Sequence, residues 1–324
     1  SVTGLALGSG INGALSANYN ALSVAGSSVT LTPVPLTVSF AGANKVYDGS
    51  TTASVTTTDN RLGSDLLAIN YSASFADKNV GAAKPVSVSG VSLGGADAAN
   101  YVLASTSGST SADITRLNSV TWVGGASGDW FNPANWAVTG NLSQTGAVPD
   151  LSNVANVVIP AGSTVNFAAS GVAPAAFGSP VNLVSIGSAG GLAQSGGTLN
   201  VGAGGVSLDA LTQTAGSFSI GGALTINGSF GQSGAGTIQV GGAASITNGS
   251  GALQLGNLDV SGPMTVVSNG GAISQVSGTS LMQRSTGSYS AYSAPGVSAN
   301  VALDNTGNSF AGAVSATGRD VSLK

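Results

Sequence analysis

The side chains best suited to recognising a ligand are crowded into one stretch. Trp122, Trp130 and Trp136 are the three tryptophans of the chain; they lie with Phe131 in WVGGASGDWFNPANW, and Asp129, Asn132 and Asn135 stand between them. Indole faces stack on the apolar faces of pyranose rings, and carboxylate and amide groups bond sugar hydroxyls, so this set would make a sugar-binding surface. The same residues would serve to close the open apolar end of a β structure. Both readings stand at this level.

Catalysis has less to draw on. The chain has no Cys and no His, and all 12 of its acidic residues are Asp. General acid–base groups, activated nucleophiles and transition-metal ligands come first from His, Cys and Glu, which titrate or ligate near neutral pH. What is left is Asp-only chemistry: a carboxylate pair for glycoside cleavage, or oxygens around a hard cation. Asp59 and Asp65 flank Arg61 and Asp97 sits in a Gly/Asn turn, but no EF-hand loop or GGxGxD repeat is present, so these read as turn formers. Asp209, Asp259, Asp304 and Asp320 are scattered singly. The expectation is therefore a non-enzyme with no cofactor and no metal, a glycan-cleaving protein being the minor alternative.

Composition narrows the partners. A net charge of −4 with eight Lys and Arg, none clustered, argues against nucleic acid. No apolar run reaches the roughly 18 residues that a membrane span needs. Only 6% of residues are charged and 50 are Gly, yet 42% are apolar, a balance that favours folding over disorder. Gly and β-branched residues disfavour helix, so the chain should be all-β.

The elements that position these residues come from repeats. LTVSF at 36–40, INYSASF at 69–75 and VSVSGVSL at 86–93 alternate with period two, as half-buried strands of a small antiparallel module do. VTGLALG at 2–8 is similar to VSGVSLG at 88–94, and each is followed by an Asn-Tyr pair, so residues 1–36 read as the end of one module and 37–117 as a full copy. TPVPL, with Pro33 and Pro35, reads as a stiff extended joint between them. Further on, Gln194, Gln213 and Gln232 recur 19 residues apart, each before an alternating strand: TLNV, SFSI, TIQV. That period, with Gly turns and no helix, is the mark of a solenoid, best read as a right-handed parallel β-helix. Leu199, Val201, Phe218, Ile220, Ile238 and Val240 should point inward as ladders, with Asn, Ser and Gln facing water. The expected order is a partial module at 1–36, a module at 37–117, a Trp-rich junction at 118–160 and a β-helix at 161–324 whose pattern runs uncapped to Lys324.

Three ordered motifs carry a family resemblance: KVYDGST at 45–51, SFADKNVG at 74–81 and GADAANYVL at 95–103. In this order they resemble the YDG/MBG-type modules of large bacterial exoproteins. LDNTGNSFAGAV at 303–314 resembles the coil repeat of filamentous-haemagglutinin-type exoproteins. The resemblance implies a stalk or adhesive protein of the two-partner-secretion or autotransporter kind, displayed outside a Gram-negative cell. It further implies an outer-membrane secretion partner, an exopolysaccharide or host glycan as ligand, and a monomeric rod.

Overall fold

The structure is a computed structural model that describes residues 32–168, 180–187 and 189–324; the partial module read at the N-terminus falls outside these up to residue 31. Among the described residues there is no α-helix, only strands and two short 3-10 turns. The described residues divide into two compact units, one formed by 32–41, 55–73 and 87–110 and the other by 42–54, 74–86 and the described residues from 111 on.

In the first unit the strand Val34–Leu36 pairs in parallel with Tyr101–Leu103, and Leu36 is buried. The TPVPL stretch is thus a paired strand where the sequence suggested a linker; among the described residues this ladder has two strands, so Pro35 sits on an edge, where proline is tolerated. Asp59 closes a local turn by accepting from the Arg61 N–H at 3.1 Å, whereas the Asp65 and Asp97 side chains tie segments more than thirty residues apart. Asp59 takes both forks of Arg61 at 2.8 and 2.6 Å, Asp65 accepts from the Tyr101 hydroxyl at 2.5 Å, and Asp97 accepts from the Leu66 N–H at 2.8 Å. Phe40 meets Tyr71 edge to face at 6.1 Å.

In the second unit Lys45–Val46 pairs in parallel with Ile114–Thr115. Parallel pairing at both places departs from the purely antiparallel module expected, because period-two alternation reports burial on one face and says nothing of strand direction.

From Leu117 onward the second unit is mainly a parallel ladder in which each coil stacks on the last, with antiparallel pairs where Trp136–Val138 returns on Leu117–Trp122 and where Tyr292 meets Ser298. Three columns of strands run through it. One passes through Leu117–Trp122, Val154–Val158 and the second half of Val181–Gly187, from Ser185 on, then Val206 on Leu224, Ile226 on Ile246 and Val266 on Tyr289. A second stacks Val181 on Leu199, Phe218 on Ile238, Ile238 on Leu258 and Leu258 on Leu281. The third stacks Val165 on Leu192, Leu211 on Phe230, Leu253 on Ile273, Ile273 on Val301 and Val301 on Val321. The ladder is therefore entered well before residue 161. Leu199, Val201, Phe218, Ile220, Ile238 and Val240 are all buried, as their alternation required. The glutamines are not outside: Gln194, Gln213 and Gln232 are 1%, 0% and 3% exposed. Their amides stack, Gln213 Nε2 donating to Gln194 Oε1 at 3.0 Å and Gln232 Nε2 to Gln213 Oε1 at 2.9 Å, while each Nε2 also donates to backbone carbonyls at the corner. A buried amide so satisfied avoids the desolvation penalty that otherwise keeps Gln at the surface.

Candidate functional site

The tryptophan stretch folds on itself. Trp122 ends one strand and pairs antiparallel with Trp136 in the strand Trp136–Val138. Between them, Asp129 Oδ1 accepts from the Phe131 N–H at 3.0 Å and Asn132 Oδ1 caps the 3-10 turn Pro133–Asn135 by accepting from the Ala134 N–H at 3.0 Å. Asn135 Nδ2 donates to the Asp129 carbonyl at 2.9 Å. The rings meet edge to face: Trp122 and Trp136 at 5.2 Å, Trp130 and Trp136 at 5.1 Å, Trp130 and Phe167 at 5.2 Å, with Phe131 tilted on Phe167 at 5.5 Å. Each such pair adds about 0.5–1.5 kcal/mol beyond its buried area. Every indole N–H is satisfied by a carbonyl, Trp122 by Gly125, Trp130 by Pro149 and Trp136 by Trp130. Glycines let the rings close: a Cβ on Gly124 would lie 2.5 Å from Trp122 and 2.7 Å from Asn135.

Exposure decides what this set can do. Trp122, Trp130, Phe131 and Trp136 are 2%, 0%, 2% and 0% exposed. All seven residues named from sequence come together, but the ring faces lie against one another and against Phe167, so no indole is offered to a sugar. The polar members bond the stretch's own backbone. The geometry is that of an aromatic plug heading the third column of the ladder, where Phe167 is in register with Gln194.

A second cluster, which the sequence did not disclose, lies under the Tyr-Asp-Gly turn. Tyr47 is buried, and its hydroxyl donates to the Val148 carbonyl at 3.1 Å with Asp150 Oδ1 at 3.2 Å. Lys78 Nζ donates to Asp150 Oδ2 at 3.0 Å and to the Tyr47 hydroxyl at 3.1 Å, and stands 5.5 Å above the Tyr47 ring. Asn153 Nδ2 donates to Asp150 Oδ1 at 2.8 Å. Burial first, then the Asp150 carboxylate, pushes the Tyr47 phenol far above the ordinary tyrosine range. Asp48 Oδ1 accepts from the Ser50 N–H and from Lys45 Nζ, both at 2.8 Å; burial works against its ionisation, but these bonds prevail and hold its carboxyl below the usual range. Gly49 takes φ +80° and abuts the Gly146 carbonyl, a place no side chain fits. Each residue of the Lys-x-Tyr-Asp-Gly-Ser motif thus has a packing role. Asp150 and Asn153 stand in VPDLSN, which carries no pattern of its own; besides each other, they bond Lys78 and Val80, more than seventy residues away.

On the outside of the second column Arg284 grips Asp259 through Nε and Nη2, both at 2.7 Å, which keeps the Asp259 carboxyl below the usual range. The pair edges a shallow groove of about 410 Å³ that Ser219, Gln239 and Ser261 also line. No group of three or more acidic, His or Cys side chains able to hold a metal ion occurs among the described residues. Nor is any helix there long and apolar enough to cross a membrane.

Fold and site together define an all-β repeat protein whose motif residues build structure. Residues 32–129 match the YDG domain, and residues 241–317 match a family of repeats of unknown function (DUF5649). No curated protein and no solved structure matches the chain. The chain thus carries a YDG domain, whose match runs into the first strands of the parallel ladder, followed by repeats of unassigned role.

Proposed function

We propose that this chain is a non-catalytic stalk and adhesive segment of a secreted protein displayed on the outside of a Gram-negative cell, acting in cell–cell, biofilm-matrix or host attachment. The observation that carries this reading is the parallel ladder from Leu117 to Leu323, built from small polar and branched apolar side chains with amides buried at its corners. Such a stack gains roughly 4.8 Å of reach per coil and repeats its polar faces, so weak contacts multiply along it. An outer-membrane secretion partner and affinity of the filamentous-haemagglutinin type belong to the same proposal. The ligand put forward is an exopolysaccharide or host glycan. With the tryptophans inside, the surface that supports such a ligand is the groove at Ser219, Gln239, Asp259 and Arg284, whose amide, hydroxyl and ion pair suit sugar hydroxyls.

The test uses beads coated with the purified chain and a panel of bacterial and host polysaccharides. Retention of at least one polymer, weakened several-fold in Asp259→Ala and Arg284→Ala but unchanged by substitutions remote from the groove, is the expected result. No retention of any polymer or producing cell, or release of reducing or unsaturated ends, overturns the reading. Antibody labelling of intact producing cells tests the surface location.

A further inference from the structure

The cluster under the Tyr-Asp-Gly turn puts an amine, a carboxylate and a carboxamide in one hydrogen-bonded line. Lys78 Nζ bonds one oxygen of Asp150 and Asn153 Nδ2 bonds the other, at 3.0 and 2.8 Å. Asn153 Oδ1 accepts from the Val80 N–H at 2.9 Å. Asp150 and Asn153 are each 1% exposed, and the Lys78 side chain 14%. These are the parts that amide formation between an amine and a carboxamide requires. There is a nucleophile, a proton carrier touching both the nucleophile and the leaving nitrogen, a donor on the carbonyl oxygen, and little water. The chain has no Cys, so any covalent brace must use other side chains.

We infer that Lys78 and Asn153 join spontaneously in an intramolecular isopeptide bond, with Asp150 carrying the protons. Lys78 Nζ passes one proton to Asp150 Oδ2, and the neutral amine attacks Asn153 Cγ while the Val80 N–H holds the developing oxyanion. Asp150 gives its proton to Nδ2 and takes a second from the attacking nitrogen. The carbonyl re-forms, the Cγ–Nδ2 bond breaks and ammonia leaves. Amine and carboxamide become secondary amide and ammonia, with Asp150 left as the neutral acid beside the new bond; no oxidant or cofactor enters. The bond ties the segment after Phe75 to the entry of the ladder, where a stalk under tension would otherwise rely on non-covalent contacts such as the Lys78–Asp150 ion pair.

Intact-mass measurement of the purified, denatured full chain decides it. The expected mass lies below that of the sequence by one ammonia, and a digest yields a branched peptide joining Lys78 to Asn153. Lys78→Arg and Asp150→Ala restore the full sequence mass. A wild-type chain at the full sequence mass overturns the inference. So does an ammonia deficit that persists in Lys78→Arg, because succinimide formation at an Asn-Gly pair such as Asn227-Gly228 gives the same loss without Lys78. Loss of water with the link mapped to Asp150 also overturns it. Should the variants fail to fold, the wild-type mass and the linked peptide decide alone.

Discussion

At Gln213 one amide serves three coils. Its Nε2 donates to Gln194 Oε1 at 3.0 Å and to the Thr237 carbonyl at 3.0 Å, and its Oε1 accepts from Gln232 Nε2 at 2.9 Å. Leucine would fill much the same space while leaving the Thr237 carbonyl and the Gln194 oxygen buried with fewer partners. Gln213→Leu should therefore destabilise the chain by about 1–3 kcal/mol, read as a shift of the urea midpoint at unchanged slope. A midpoint equal to wild type would mean that the ladder adds nothing beyond its volume. Buried phenols contribute to the alkaline limit. Burial raises both Tyr289 and Tyr47 above the ordinary range. Above about pH 10 the unfolded chain releases these protons and the folded chain keeps them, so the unfolded state binds fewer protons and stability falls as pH rises. The loss should approach about 1.4 kcal/mol per pH unit for each phenol, and Tyr47→Phe should flatten its share in urea titrations between pH 9 and 11.

Within a coil the corner glycines act by their lack of a side chain. A Cβ on Gly256 would lie 2.8 Å from Gln232 Cδ, and the amide cannot retreat because it accepts from the Gly256 N–H at 3.0 Å. Gly231 has open space where its Cβ would go. Gly256→Ala should cost about 1–3 kcal/mol and Gly231→Ala little, by thermal or urea unfolding; equal costs would show that backbone freedom matters more than room for the amide. This separation also marks what the sequence could disclose. Leu199 to Val240 were legible as inward ladders because period two and a fixed spacing leave them one place to go. The buried glutamines were not, since a polar residue at regular spacing looks like surface until the coils are stacked and the amides meet. The tryptophans were legible as a group, but whether their faces meet sugar or each other depends on Phe167, which lies far beyond the motif. Asp150 acquires its role from Lys78 and Tyr47, 72 and 103 residues distant, as much as from its near neighbour Asn153. Direction of pairing, as between Val34–Leu36 and Tyr101–Leu103, leaves no trace in side-chain alternation.

Across the second unit the ladder behaves as a one-dimensional stack in which each coil touches only its neighbours, so a whole coil should be removable where registers repeat evenly. They do so in mid-ladder: Val240 is in register with Val260, Ala244 with Met264 and Leu253 with Ile273, 20 residues apart in each column. Deleting residues 241–260 brings Ile226 under Val266, Phe230 under Ile273 and Gln232 under Gln275, so apolar meets apolar and amide meets amide. That variant should keep the β-sheet circular dichroism of the parent and a single cooperative unfolding transition. Deleting only 241–250 removes the strand Ala244–Asn248 without its neighbours and sends the following strands to the wrong columns. Slippage of this kind turns buried side chains outward, so this shorter deletion should unfold at much lower denaturant or fail to fold. Equal tolerance of the two deletions would mean that the coils are not held by register, and that reach is not added or removed coil by coil.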